Sequence, residues 1–197
     1  MMIGPALERQ FTIVNVVATA ALNQSIDLEI LRKQFPKHVL WDQDIYGGRV
    51  AYYKTEGMEG KVSIFWSGKL ISVGTKSIEK AYQELRQTAR ALNAKLKTGP
   101  KVQNIIATAT LKTEKDMDQI ISKLQNDKNI HIIYEPEQFP AAIIKLPINQ
   151  TAKATILLFS NGKIICVGLT KIEHIKEAIE TMELKLKDNV KRDLGIT

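Results

Sequence analysis

Cysteine is all but missing from this chain. Cys166 is the only one in 197 residues, so no intramolecular disulfide can form and a disulfide-stapled scaffold is excluded. Cys166 falls in an apolar, strand-like run, which reads as a buried structural thiol rather than a nucleophile. Histidine is nearly as scarce. His38, His131 and His174 lie in separate contexts, without the His-Glu-x-x-His or Cys-x-x-Cys spacing of a metal site. No glycine-rich phosphate loop and no nucleophile elbow occurs. No apolar run nears the roughly 20 residues that a membrane helix needs. The first ten residues lack a basic stretch followed by an apolar core, so no signal peptide is expected. These absences argue against catalysis, metal, cofactor and membrane. The expectation is a soluble intracellular protein that is not an enzyme.

What is present is an ordinary globular balance: 44% hydrophobic and 25% charged residues, enough to bury a core without staples. At roughly 150 residues per domain the length allows one large domain or two small ones. The 28 Lys+Arg against 21 Asp+Glu give a net charge of +7. Residues 1–97 carry +5 and residues 98–197 carry +2. Such an excess permits a polyanionic partner without demanding one.

An internal repeat organises the chain. Thr12-Ile-Val-Asn-Val-Val-Ala-Thr-Ala-Ala-Leu22 aligns with Lys101-Val-Gln-Asn-Ile-Ile-Ala-Thr-Ala-Thr-Leu111, identical at five of eleven positions. Ile64-Phe-Trp-Ser-Gly-Lys-Leu-Ile-Ser-Val-Gly74 aligns in the same order with Leu158-Phe-Ser-Asn-Gly-Lys-Ile-Ile-Cys-Val-Gly168. Each half opens on a β-branched strand, Ile13 to Ala20 or Val102 to Thr110. A helix follows, with Ser25 as the expected cap before Leu28, Leu31 and Phe35. Its counterpart has Thr113 before Met117, Ile120, Ile121 and Leu124. Short strands come next, punctuated by the Ser67-Gly68 and Asn161-Gly162 turns. A long amphipathic helix closes each half, through Ile78, Tyr82, Leu85, Ala89, Leu92 and Leu96, or Ile172, Ile175, Ile179, Met182 and Leu186. Gly99-Pro100 is the expected joint, giving repeats of 11–98 and 99–190. The predicted class is α+β: two repeats that form one continuous curved antiparallel sheet with helices on one face only.

The uncovered face carries the functional question. Side chains at i and i+2 share a face of a strand, which groups Asn15 with Val17 and Asn104 with Ile106. Each Asn is either simply solvated or a donor to a polar ligand. An A·T-rich minor groove presents acceptors alone. Phe65 and Phe159 precede the paired turns, and Tyr46 aligns with Phe139. These four aromatics either fill a core or wedge between base pairs. Lys69, Lys76, Lys145 and Lys163, with Lys153 and Lys171, are either solvated or set to neutralise phosphate.

Tyr134-Glu-Pro-Glu-Gln-Phe-Pro-Ala-Ala-Ile-Ile-Lys145, the two Asn-containing strands and the paired Phe-x-x-Gly-Lys turns resemble the TATA-box-binding protein family, from about Phe11 to Asp188. The absence of a long N-terminal extension is more similar to its archaeal branch. The resemblance implies a saddle fold with helices on the convex face. The concave sheet of such a saddle binds and bends A·T-rich promoter DNA through the minor groove. It implies DNA contacts from Asn15, Val17, Asn104 and Ile106 at the centre, and wedges from Phe65, Phe159, Phe139 with Pro140, and Tyr46. It further implies contacts from Lys69, Ile71, Val73 and Lys76 in one repeat and Lys163, Ile165 and Val167 in the other. Lys145 stands in place of a phosphate-contacting arginine. Glu135, Glu137 and Gln138 match the stirrup that holds transcription factor B, with RNA polymerase recruited through it. The location implied is the cytoplasm at the archaeal nucleoid, or the nucleus in a eukaryote. Self-association into a homodimer without DNA stays open.

Several positions depart from the family pattern. Val73 and Val167 stand where the family has threonine, and Thr170 where it has lysine. The first stirrup is Asp42-Gln43-Asp44, and Tyr52 aligns with the phosphate-contacting arginine of that repeat. The connection from Pro147 to Lys153 is longer. These departures leave a second reading open: a divergent member that acts mainly as a protein-interaction module, with weak or altered DNA binding.

Overall fold

The computed structural model of the chain describes residues 11–113 and 116–187. Among them run β1 (Thr12–Leu22), α1 (Leu28–Gln34), β2 (Val39–Trp41), β3 (Val50–Tyr53), β4 (Lys61–Phe65), β5 (Lys69–Thr75) and α2 (Ile78–Ala91). They continue as β6 (Leu96–Thr110), α3 (Met117–Gln125), β7 (His131–Ile133), β8 (Ala141–Pro147), β9 (Lys153–Phe159), β10 (Lys163–Leu169) and α4 (Ile172–Leu186). The strands hydrogen-bond in the order β2-β3-β4-β5-β1-β6-β10-β9-β8-β7. The α+β class and the antiparallel two-repeat sheet are as expected. The elements cluster into two compact units that divide inside β6, between Ile106 and Ala107. The expected end of the second repeat, at residue 190, lies outside the described residues.

In the first unit α2 packs on β5 and β4, and α1 on β2 and β3. In the second unit α4 packs on β10 and α3 on β7. Strand alternation follows from this one-sided cover. Val16, Ala18, Ala20, Val62, Ile64 and Leu70 are buried beneath the helices of the first unit, and Ile144, Ile156, Leu158, Ile164 and Cys166 beneath those of the second. A carboxylate sits in the first of these cores. Glu84 on α2 is buried, accepting the Gly60 N–H at 2.8 Å and the Ser72 hydroxyl at 3.2 Å. Those two bonds satisfy a group that would be costly to bury alone.

The paired turns are built alike. In each, three residues connect the strands and glycine holds the left-handed third place, with φ +83° at Gly68 and +79° at Gly162. The Gly68 carbonyl accepts the Leu22 N–H and the Gly162 carbonyl accepts the Leu111 N–H, both at 2.8 Å. A β-carbon at Gly68 would run into the Gln24 carbonyl oxygen, and one at Gly162 into that of Leu111. Glycine is therefore required twice over at both positions, by backbone angle and by space.

Three expectations are corrected. The caps are Asp27 and Asp116, not Ser25 and Thr113: their carboxylates accept the Ile30 and Gln119 N–H groups, each at 2.9 Å. A cap reaches only two or three residues ahead, and Ser25 and Thr113 stand too early for that. Helix α2 stops at Ala91 rather than Leu96, because Asn93 turns left-handed (φ +48°). Leu96 keeps helical spacing by coincidence and opens β6. Gly99-Pro100 lies within β6 rather than in a joint between elements.

Candidate nucleic-acid interface

The face of each unit that the helices leave uncovered is lined by half-buried side chains in strict alternation. In the first unit these are Asn15, Val17 and Thr19 on β1, Ser63 and Phe65 on β4, and Ile71 and Val73 on β5, with exposed Lys69 in the same row. Asn104 and Ile106 on β6 are also half-buried, and the Gln103 amide beside them donates to the Thr19 hydroxyl at 2.8 Å. In the second unit the row comprises Ile143 and exposed Lys145 on β8, Thr155, Leu157 and Phe159 on β9, and exposed Lys163 with half-buried Ile165 and Val167 on β10. A sheet face that keeps isoleucine, valine and phenylalanine half in water is an incomplete core. Removing such apolar area from water contributes about 25 cal/mol per Å².

Asn15 is fixed in orientation. Its carboxamide oxygen accepts the Gly74 N–H at 2.8 Å. That bond occupies the acceptor end and leaves the amide NH2, two donors, as the part a ligand can meet. The register makes this possible: between Val16↔Thr75 and Ala18↔Ser72 the pairing slips by one residue. Gly74, at φ +102°, takes up the bulge.

The aromatic residues divide between the units. Phe139 and Phe159 meet edge to face, with ring centroids 6.4 Å apart, and Phe139 is 40% exposed. The pair stands at the end of β9 beside exposed Pro140. In the first unit Phe65 is half-buried, whereas Tyr46 is 75% exposed in a left-handed backbone conformation (φ +51°). The registers explain the difference. Leu40 pairs with Tyr52 as Ile133 pairs with Ile143. Residues 41–51 and 134–142 therefore span the same interval, and the first loop is two residues longer. Counted from β2, Tyr46 corresponds to Phe139; counted back from β3, Gly48 does.

The same registers reassign a lysine. Tyr52 pairs with Ser63 and Ile143 with Leu157, so Tyr52 is the counterpart of Ile143 rather than of an arginine position. Lys54, just past the end of β3, follows Tyr52 by two residues as Lys145, paired with Thr155, follows Ile143. Sequence alignment missed Lys54 and Lys61 because it ran through the longer loop without a gap. The period-two pattern Lys61–Ser63–Phe65 against Thr155–Leu157–Phe159 was the signal available.

The acidic stirrup residues Glu135 and Glu137, with Gln138, are exposed. The Glu135 carbonyl accepts the N–H groups of both Gln138 and Phe139 at 2.9 Å, which folds the segment into a tight turn. Lys76 is exposed just after β5, its N–H donating to Glu59 at 3.1 Å. Burial pushes the Cys166 thiol up to about 12, far from the thiolate that nucleophilic chemistry needs. Among the described residues no His, Cys, Asp and Glu group could hold a metal ion, and no helix is long and apolar enough to cross a membrane.

Comparison with known proteins bears on this arrangement. The family model described as Transcription factor TFIID (or TATA-binding protein, TBP) matches residues 10–95 and again 99–189. The TATA-box-binding protein of Methanothermobacter thermautotrophicus is 32% identical over 181 residues, covering 89% of this chain and 94% of that protein. That of Cenarchaeum symbiosum is 30% identical over 171 residues, covering 84% and 88%. Among solved structures, Methanococcus jannaschii TBP superposes with a TM-score of 0.70 at 26% identity, covering 90% of this chain and 98% of that one.

Proposed function

This chain belongs to the TATA-binding protein family and is a transcription initiation factor of that type, and from that premise we propose that it binds A·T-rich promoter duplex through the minor groove, bends it, and presents the Glu135–Gln138 stirrup to transcription factor B, which brings RNA polymerase. The repeats that do this are 11–98 and 99–190. The observation that carries the reading is the half-buried Asn15 carboxamide, whose oxygen is tied to Gly74, which leaves its NH2 as the group to meet a ligand. The A·T minor groove offers adenine N3 and thymine O2, acceptors only, while a G·C pair adds a guanine amino donor that would face the amide NH2. Val17, Val73, Ile106 and Val167 supply apolar surface against the sugar edges. Lys69, Lys76, Lys145 and Lys163 meet phosphate, and Phe65, Phe139 and Phe159 enter base steps and unstack them. Tyr46 is the weakest member of the set, being shifted by the longer loop. Binding and distortion are the whole of this work, and no covalent step is needed.

Fluorescence anisotropy with an A·T-rich duplex and a G·C-rich control, at one stated salt concentration, tests the reading. Tighter binding of the A·T-rich duplex is expected, with a shortened end-to-end distance by energy transfer. Equal, weak affinity for both would overturn it. Capture of factor B by a chain that leaves DNA unbent would favour the interaction-module reading.

A further inference from the structure

The two repeats place a cation at the same point of the open face by different means. Phe65 and Phe159 occupy corresponding positions, so Lys61, paired with Val73, is the counterpart of Thr155, paired with Val167. In the second repeat the cation is Lys145, whose ammonium donates to the Thr155 hydroxyl at 2.9 Å. In the first it is Lys61 itself. Its ammonium lies 4.6 Å from the centroid of the Tyr52 ring, on the adjacent strand. The backbone beneath is also held, since the N–H of Gly60 is bound by the buried Glu84 carboxylate. A depression of about 560 Å³ opens here, lined by Lys37, His38, Leu40, Tyr52, Lys54 and Lys61, with Pro36 and Val39 completing a wall that contains no carboxylate. The Lys54 ammonium donates to the Glu59 carbonyl at 3.4 Å, Lys37 and Lys61 add two further cations to the lining, and an anion is what such a cleft is complementary to.

We infer that this depression is a phosphate seat, in which Lys61, steered by the Tyr52 ring, and Lys54 grip a backbone phosphate of the duplex on the first repeat. The inference rests on the proposed DNA binding and adds contacts for which neither composition nor alignment provides. Tyr52 then serves as a positioning residue. A lysine alone is a flexible point charge on a four-carbon stem, and the aromatic face restricts it at the edge of the groove by the cation–π attraction.

The test is the salt dependence of duplex binding by the full chain. Each ammonium that neutralises a phosphate adds about one to the slope of log K against log salt. Lys61→Gln is expected to reduce the slope by about one for the A·T-rich and G·C-rich duplexes alike. Tyr52→Leu should keep the slope and weaken binding about two- to fivefold, and Tyr52→Phe should restore wild-type affinity. Lys176→Ala, at an exposed position on α4 of the second unit, should change neither. An unaltered slope in Lys61→Gln, in a variant that melts as the wild type does, overturns the inference while leaving the proposed function standing. A wild-type chain that binds both duplexes equally, but loses slope with Lys61, keeps the seat and overturns minor-groove selectivity. A wild-type chain that binds neither duplex overturns both.

Discussion

At the scale of single residues, the open face mixes groups that suit a groove with groups that withhold something. Asn15 presents donors because Gly74 has taken its acceptor. Val73 and Val167, half-buried on the same face, have the branched shape of threonine without its hydroxyl. A base acceptor facing either valine would lose water and gain nothing, at about 1–3 kcal/mol. Val73→Thr is therefore expected to tighten binding of the A·T-rich duplex about fivefold, or about 1 kcal/mol, by anisotropy. Unchanged affinity would mean that no acceptor lies there. Cys166 yields a pH prediction. Its thiol is raised from 9.0 to about 12 by burial, so above pH 9 the unfolded chain releases this proton while the folded chain keeps it. The folded state then binds more protons, and stability falls with pH. The contribution is intact below pH 9 and is lost between pH 9 and 12, at up to about 1.4 kcal/mol per unit. Urea melts of Cys166→Ala should show a shallower decline over that window than the wild type. Parallel declines would place the cause elsewhere.

At the scale of elements, the hairpins make the two repeats alike and the loops make them different. Both turns need their glycine for the same two reasons, and both deliver a phenylalanine to the end of a strand. Only in the second unit does a neighbouring loop bring another phenylalanine against it. An edge-to-face pair contributes about 0.5–1.5 kcal/mol beyond its area, so Phe139 and Phe159 hold each other in place. The longer first loop leaves Phe65 without that support from Tyr46. DNA distortion should accordingly be unequal at the two ends of the site. With 2-aminopurine at each suspected kink, Phe159→Ala is expected to abolish the enhanced fluorescence at one end and leave most of the thermal stability. An unfolded Phe159→Ala chain would mark the ring as core. Phe139→Ala, at a more exposed ring, separates the two outcomes. Strand periodicity in the sequence located the Asn pair, and the internal repeat located the turn phenylalanines. Ser25 and Thr113 stand too early to cap, a matter of where α1 and α3 begin, and apolar spacing carries on past Asn93, where only the backbone angle stops α2.

At the scale of the whole molecule, the net charge of +7 acquires meaning from where the cations fall. Lys61, Lys69, Lys145 and Lys163 stand on uncovered sheet faces, while Glu135 and Glu137 are exposed on the second stirrup. That separation suits one polyanionic and one protein partner. Replacing Glu135 and Glu137 together by lysine is expected to leave duplex affinity intact or slightly raised, and to abolish the slower-migrating complex formed with factor B in a gel-shift assay. A retained ternary complex would move the protein contact elsewhere.

The sequence by itself determined the duplication, the α+β class, the two paired turns and the period-two grouping of Asn15 with Val17. The duplication shows as self-similarity between the halves, and the rest follows from local periodicity and turn chemistry, which adjacent residues encode. Tertiary structure alone decided that the oxygen of the Asn15 amide is taken by the Gly74 N–H, since that depends on a bulge between β1 and β5 some 59 residues apart in the chain. It decided too that Tyr52 holds Lys61 instead of replacing an arginine. Register across strands is set by side-chain packing and loop length together, and a loop two residues longer is invisible until the strands on either side of it are paired.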